Sequence, residues 1–437
     1  MHGELMLKSA VAVLLFSTIA VAQDAAMFRG NPEHTGVYNA AGAPQFHSLK
    51  WKFETKAQLH SSPAVANGVV YVGSTSRNLL AVDLETGKLK WKFETGARIV
   101  SSPAVVDGVV YVASYDGNFY AVDAVTGKEK WKFKTGGEKR FAAPHLHGST
   151  PVTETMPDPF DSYLSSPVVV AGVVYFGSGD TNVYALNAAD GSLKWKFKTG
   201  DVVHASPALA DGTLYVGSWD SYFYAIDAAT GKEKWKLKTG EDHDIYNQVG
   251  IQSSAAVADG VVYFGCRDSN FYAVDAKTGE KKWAFNNKGS WVISSPAVKD
   301  GRVYFATSDT GLVYALDLNG KEVWHFDGKH WVVFSSPAIA GNTLYLGSHA
   351  GKLRAIDLTS GKLAWEFETD GSKANGAGLT KPDGTPNYEA AFHTNFYDDM
   401  VAGVQIMLKT GAILGSPVVS GDTVIFASSD GNVYAVR

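Results

Sequence analysis

Apolar residues recur along this chain in short runs closed by glycine, and each run is followed by a segment where lysine alternates with aromatic residues. The clearest copy reads Ser61-Ser62-Pro63-Ala64-Val65, then Val69-Val70-Tyr71-Val72-Gly73-Ser74, then Ala81-Val82-Asp83, then Thr86-Gly87, then Trp91-Lys92-Phe93. Each unit reads as four short strands: A (SSPAV), B (VVYVGS), C (YAVD or its equivalent) and D (KWKF). The A–B links carry Asn67-Gly68, Asp107-Gly108, Asp211-Gly212 and Asp259-Gly260. These residues reach positive φ at low cost, as tight hairpins require.

The Ser-Pro element or a close variant starts near 61, 101, 165, 205, 253, 294, 335 and 415, at intervals of 40, 64, 40, 48, 41, 41 and 80. Eight units with a base period of about 40 predict an all-β, eight-bladed β-propeller of four-stranded antiparallel blades. The last unit stops at Arg437 after its third strand, while Leu49-Lys50-Trp51-Lys52-Phe53 is an orphan strand D at the other end. The N-terminal strand is therefore expected to complete the last blade and hide two sheet edges.

Composition narrows the function classes. The 437 residues include 45 glycines and carry a net charge of −5, so no basic excess exists for nucleic acid. A single cysteine, Cys266, excludes an internal disulfide framework. It occupies a position held by serine or threonine in the other units (Ser74, Ser114, Ser178, Ser218, Thr307, Ser348, Ser428), so it reads as filler of a small polar slot. Residues 1–22 read as a signal peptide: Lys8, an apolar run from Ala10, and Ala20-Val21-Ala22 before Gln23. Residues 23–43 form a lead segment, and residues 44–437 the propeller. No second long apolar stretch exists, so no membrane span is expected. The mature chain is expected to be periplasmic or secreted and monomeric, and Gln23 supplies no lipidation cysteine.

Ala81-x-Asp83-x-x-Thr86-Gly87-x-x-x-Trp91 resembles the tryptophan-docking motif of the pyrroloquinoline quinone (PQQ) repeat propellers. It recurs at Ala121 to Trp131, Ala225 to Trp235 and Ala273 to Trp283, with looser copies ending at Trp195, Trp324 and Trp365. The resemblance covers nearly the whole mature chain. It implies that Trp51, Trp91, Trp131, Trp195, Trp235, Trp283, Trp324 and Trp365 are blade-docking wedges. The family includes quinoprotein dehydrogenases, in which PQQ with calcium oxidises an alcohol or sugar. It also includes the propeller lipoprotein of the outer-membrane β-barrel assembly machinery, which acts through protein partners. This chain has neither adjacent cysteines nor a C-x-x-C-H segment.

Candidate sites lie where the repeat is broken. Three insertions, 137–164, 241–252 and 371–414, all fall between a strand D and the next strand A, and so share one face with the B–C turns. Their candidates are Arg140, His145, His147, Asp158, Asp161, His243, His393, Asp398 and Asp399. Residues two apart in an extended segment point the same way, so His145 and His147 are placed to share a ligand. Histidines with carboxylates suit zinc or copper, but no single segment shows tight ligand spacing, and solvated loop side chains are the plainer reading. In the third insertion Phe396, Met400, Val404, Met407 and Leu408 have helical spacing, with Asn395 as cap and Gly411 as stop. A ring of positions precedes each Ser-Pro element: His60, Val100, Leu164, His204, Gln252, Ile293, Phe334 and Leu414. Trp219, Arg267, Trp291 and Trp331 stand close to it in the repeat. This mouth reads equally as a small-ligand site, with His60, His204 and Gln252 as its polar members, and as routine capping of the channel.

The expected function is an exported scaffold that binds a protein or small ligand of the cell envelope. The alternative is a PQQ-dependent dehydrogenase, and a third possibility is a hydrolase or lyase built on the insertion residues.

Overall fold

The computed structural model describes residues 25–240 and 249–437. The signal peptide and His243 lie outside the described residues. Eight four-stranded antiparallel blades follow one another in chain order, the one at 338–368 gaining a short parallel strand, Val37–Tyr38, on its inner edge. Blade 1 comprises Ala64–Ala66, Val69–Gly73, Asn78–Asp83 and Leu89–Glu94, and blades 2 to 7 span 104–134, 168–198, 208–238, 256–286, 297–327 and 338–368. Blade 8 takes three strands from Val418–Ser420, Thr423–Ala427 and Asn432–Val436, and its outer strand is Leu49–Glu54 from the other end of the chain.

The burial of each strand follows its sequence. The first three strands of a blade are almost wholly buried, as their continuous apolar runs require. The outer strand alternates, with its lysines exposed and Trp and Phe turned inward, as in Leu89–Glu94. One extra residue bulges out just before the tryptophan in every outer strand, for instance between the pairs Val82–Leu89 and Ala81–Trp91. Each indole then donates to a carbonyl at the turn of the next blade: Trp91 to Ala124 (3.0 Å), Trp131 to Ala188 (3.0 Å), Trp195 to Ala228 (3.0 Å), Trp235 to Ala276 (3.0 Å), Trp283 to Leu318 (2.8 Å). Trp324 reaches Leu358 and Trp51 reaches Leu84. Trp365 has no such turn ahead of it, because the chain is broken there by its two ends. It donates instead to Ala43, whose own N–H donates to Tyr345 Oη.

Strand A departs from its expected start. It begins after the proline, at Ala64, Ala104, Val168 and their equivalents. Proline has no N–H to give a ladder, and the serine before it is engaged elsewhere. Ser62 N donates to Ser102 Oγ (3.0 Å), Ser102 N to Ser166 Oγ, Ser166 N to Ser206 Oγ, and Ser206 N to Ser254 Oγ. Ser254 N then donates to Ser295 Oγ, Ser295 N to Ser336 Oγ, Ser336 N to Ser416 Oγ, and Ser416 N back to Ser62 Oγ (2.8 Å). Eight hydrogen bonds of one sense thus close a ring around the channel.

The lead segment crosses the far end of that channel. Its carbonyls at Ala25, Ala26, Pro32, Glu33, Thr35 and Gly36 accept from the innermost strands at Val65, Val105, Leu209, Val257, Val298 and Ile339. Those amides sit on bare sheet edges, and the segment satisfies them. Phe28 reaches into the channel from this side.

Candidate functional site

All eight ring positions line the channel cavity together with the eight serines, but the space left is only about 50 Å³. The first insertion fills the mouth. Its short hairpin, Ala142–Pro144 with Thr155–Pro157, leads into Asp158, Phe160, Asp161 and Tyr163. Tyr163 Oη donates to Leu414 O (3.1 Å) across the channel.

Two buried charge clusters fix this plug. Arg267 is wholly buried. Its guanidinium carbon lies 4.3 Å from the Trp219 ring centre and 4.5 Å from that of Trp291. It donates to Asp158 Oδ2 (2.5 Å) and to Gln252 Oε1 (2.7 Å). Gln252 Nε2 donates to Phe160 O, and Phe141 stacks on the other side of Trp219 at 4.4 Å. Asp158 Oδ1 meets His147 Nε2 (3.0 Å) and accepts from Phe160 N. Burial alone would raise the Asp158 pKa, but Arg267 and then His147 outweigh it and hold the carboxyl well below its usual range.

In the second cluster Asp161 Oδ1 lies 2.6 Å from His204 Nδ1, and Asp161 Oδ2 accepts from Phe141 N. Glu138 stands 3.8 Å from His204 Nε2, too long for a hydrogen bond but close enough to act as a charge. Burial would favour neutral His204, yet Asp161 and Glu138 prevail and raise its pKa well above the ordinary value.

The third insertion lies over the same face. Helix α1, Asp370–Leu379, is capped by Thr369 Oγ accepting from Ser372 N. Helix α2, Tyr397–Met407, buries Met400 and Met407. The two insertions are tied by backbone: Thr150 N donates to Asn395 O and Tyr397 N to Thr150 O.

Several sequence expectations need correction. Asn395 is not the cap of α2; Phe396 holds that position, because the Asn395 backbone is committed to Thr150. Asp399, in the first turn, reaches back to accept from His393 N and Thr394 N. Phe396 is 61% exposed, so it is not part of the apolar underside. His145 and His147 do not share a ligand. Both adopt left-handed backbone (φ 54° and 56°), so the segment is not extended; His145 Nδ1 meets Ser149 O while His147 turns to Asp158. His393 and Asp398 are exposed on the third insertion. Trp331 Nε1 donates to Gly384 O, tying that insertion to the ring. Among the described residues no group of three or more His, Cys, Asp and Glu is placed to hold a metal ion.

The comparisons with known proteins bear on this arrangement. The family model described as outer membrane protein assembly factor BamB matches residues 47–156, 148–286 and 250–437. The chain belongs to that family. None of the curated proteins matches the sequence. Among solved structures, BamB from Moraxella catarrhalis superimposes with a TM-score of 0.62 at 15% identity, covering 89% of this chain and 97% of that one. The quinohemoprotein alcohol dehydrogenase from Comamonas testosteroni gives 0.68 at 16% identity, covering 94% of this chain and 80% of that one. The computationally designed Ika8 protein gives 0.65 at 15% identity, covering 90% and 100%. At such identities the likeness is one of fold.

The quinone of the dehydrogenases can be tested against these residues. A flat cofactor at the mouth needs a stacking slot, and the slot between Trp219 and Trp291 is filled by Arg267. Calcium needs free oxygen donors. Asp158 is spent on Arg267 and His147, and Asp161 on His204 and Phe141 N. At the channel mouth the residues present do not fit PQQ with calcium.

Larger spaces lie beside the mouth. An apolar chamber of about 240 Å³ is walled by Phe160, Trp291, Trp331, Phe334, Phe392 and Val404, with His147 and His349 in its lining. A second chamber of about 280 Å³ contains Arg98, Arg140, His60, Gln58 and Thr75. His349, Arg98 and Phe160 are not among the sequence candidates. His349 had a signal: it follows the small polar slot at Ser348, as Trp219 follows Ser218 and Arg267 follows Cys266.

Proposed function

We propose that this chain is a quinone-free binding propeller of the cell envelope, exported through residues 1–22, whose insertion-bearing face receives a small ligand or an envelope protein. The observation that carries this reading is the self-filled mouth, where the chain's own guanidinium occupies the aromatic slot. Family membership supports an envelope setting, and the strapped insertions 137–164 and 371–414 supply a rigid face of irregular loops.

The test is a titration of the purified mature chain with PQQ and calcium, following tryptophan fluorescence, together with dye reduction in the presence of alcohols and sugars. The expected result is no calcium-dependent quenching and no substrate-dependent reduction. Saturable quenching reversed by a chelator, with dye reduction, would return the dehydrogenase reading. Fractionation of the producing cells and N-terminal sequencing check the export step, with Gln23 expected as the first residue.

A further inference from the structure

The two chambers beside the plug share the wall formed by Phe160, Phe334, His349 and Val404. Their chemistry differs. The apolar chamber is ringed by aromatic side chains, with Ser308 and Asp309 also in its lining, and among the described residues no lysine or arginine lines it, so it admits an aromatic body and excludes an anionic group. The other holds Arg98 and Arg140, and among the described residues no carboxylate pairs with either. Arg98 instead has its guanidinium carbon over the Tyr115 ring, 4.0 Å from its centre.

Buried polar atoms without partners face both spaces. His60 is 8% exposed, and its Nε2 meets Gln58 Oε1 while Nδ1 has no partner among the described residues. Trp291 Nε1 and His349 Nε2 are likewise unpartnered, on side chains 4% and 7% exposed. Burial, then Arg98, outweigh the backbone of Ser162 and, with a smaller share from Arg140, hold the His60 pKa down at about 4. Orphaned buried groups and unpaired arginines are costly unless something meets them.

We propose that insertions 137–164 and 371–414 hold a compact aromatic acid, its ring in the apolar chamber and its anionic group on Arg98 and Arg140. A dry cavity of about 150 Å³ takes one benzene ring, so the apolar chamber has room for a two-ring body. Arginine suits a carboxylate or a phosphate equally, and the ligand class is therefore defined by the aromatic anion. The proposal rests on the binding-propeller reading and gives it a ligand.

The test is calorimetric titration of the mature chain with 1-naphthylacetate, 1-naphthyl phosphate and the neutral 1-naphthylacetamide. At least one anion is expected to bind one-to-one and at least about tenfold tighter than the amide, in line with charged hydrogen bonds to arginine. The tighter anion identifies the acid group. Arg98→Gln with Arg140→Gln is expected to bring the anions down to the amide's affinity and leave the amide unchanged; both side chains are partly buried, and an unchanged circular dichroism melt checks that the variant folds. Val404→Trp is expected to abolish all binding by filling the shared wall. Saturable binding by neither anion, equal binding of anion and amide, or affinity indifferent to these substitutions overturns the proposal. None of those results involves PQQ or calcium, so the binding-propeller reading would stand and pass to a protein partner.

Discussion

Replacing Asp158 by alanine tests the view that a buried ion pair fastens the plug over the channel. Arg267 would keep its place between Trp219 and Trp291 but lose its carboxylate at 2.5 Å, and His147 and Phe160 N would lose an acceptor. Removing one member of a buried pair costs about 3–5 kcal/mol, mostly because the remaining charge is stranded. With an unfolding entropy of about 2 cal/mol/K per residue, a propeller of this length should melt about 5 °C lower. Circular dichroism melts of wild type, Asp158→Ala and Asp158→Ala with Arg267→Met provide the assay. The double variant should recover at least half the loss, since an apolar side chain between two indoles leaves no charge behind. Acid adds a second readout. The folded pKa of Asp158 lies below its unfolded value of about 3.9, so its contribution is present above that value and fades as pH falls further. Asp158→Ala should lose that part of the acid limb. A shift under 1 °C, or a double variant no better than the single one, would sink the argument.

Three further outcomes follow from the geometry. His204 has a folded pKa raised above its unfolded one, so its stabilisation is full below about pH 6.5 and declines as pH rises toward the folded value. His204→Gln should flatten the pH dependence of urea midpoints above neutrality, and an unchanged slope would show that Asp161 and Glu138 do not hold the proton. Trp131→Phe removes the bond to Ala188 O with part of the ring and should cost about 1–2 kcal/mol, whereas Trp131→Ala should cost about 3 kcal/mol or more; a phenylalanine variant as stable as the wild type would deny the hydrogen bond any share. Burial, and then Asp268, raise the Cys266 thiol well above its usual pKa. Ellman's reagent should find no thiol in the native chain and one per chain in urea, and rapid native labelling would contradict the buried slot.

The fold was legible because every unit repeats the same solution. The Ser-Pro start (Ser254-Ala255 in one unit), the glycine or alanine that closes strand B and the tryptophan of strand D recur at fixed spacing, and the orphan Leu49 to Phe53 segment pointed to the eighth blade. The ring from His60 to Leu414 was legible for the same reason, since one register position of a repeat maps to one radius. What escaped was whatever depends on backbone groups or on distant side chains. Residues 25–36 engage the inner strands through carbonyl oxygens, which leave no side-chain pattern to read. Asn395 is a sound cap by composition, but tertiary pairing with Thr150 took its backbone. Arg98 and His349 lie more than 200 residues apart in the sequence, and only the closed ring brings them to one space.

The shared eighth blade has a consequence for synthesis. Leu49–Glu54 is made nearly 380 residues before its partner Asn432–Val436. At ribosomal speeds of about 5–20 residues per second, the early strand waits roughly 20 to 80 seconds for a mate. Through that interval the nascent molecule is an open arc with a bare edge at each end, and such edges recruit foreign strands. Losing even the final strand to a premature stop would leave the arc permanently unsealed. The delay before closure is therefore built into the pairing of Leu49–Glu54 with Asn432–Val436.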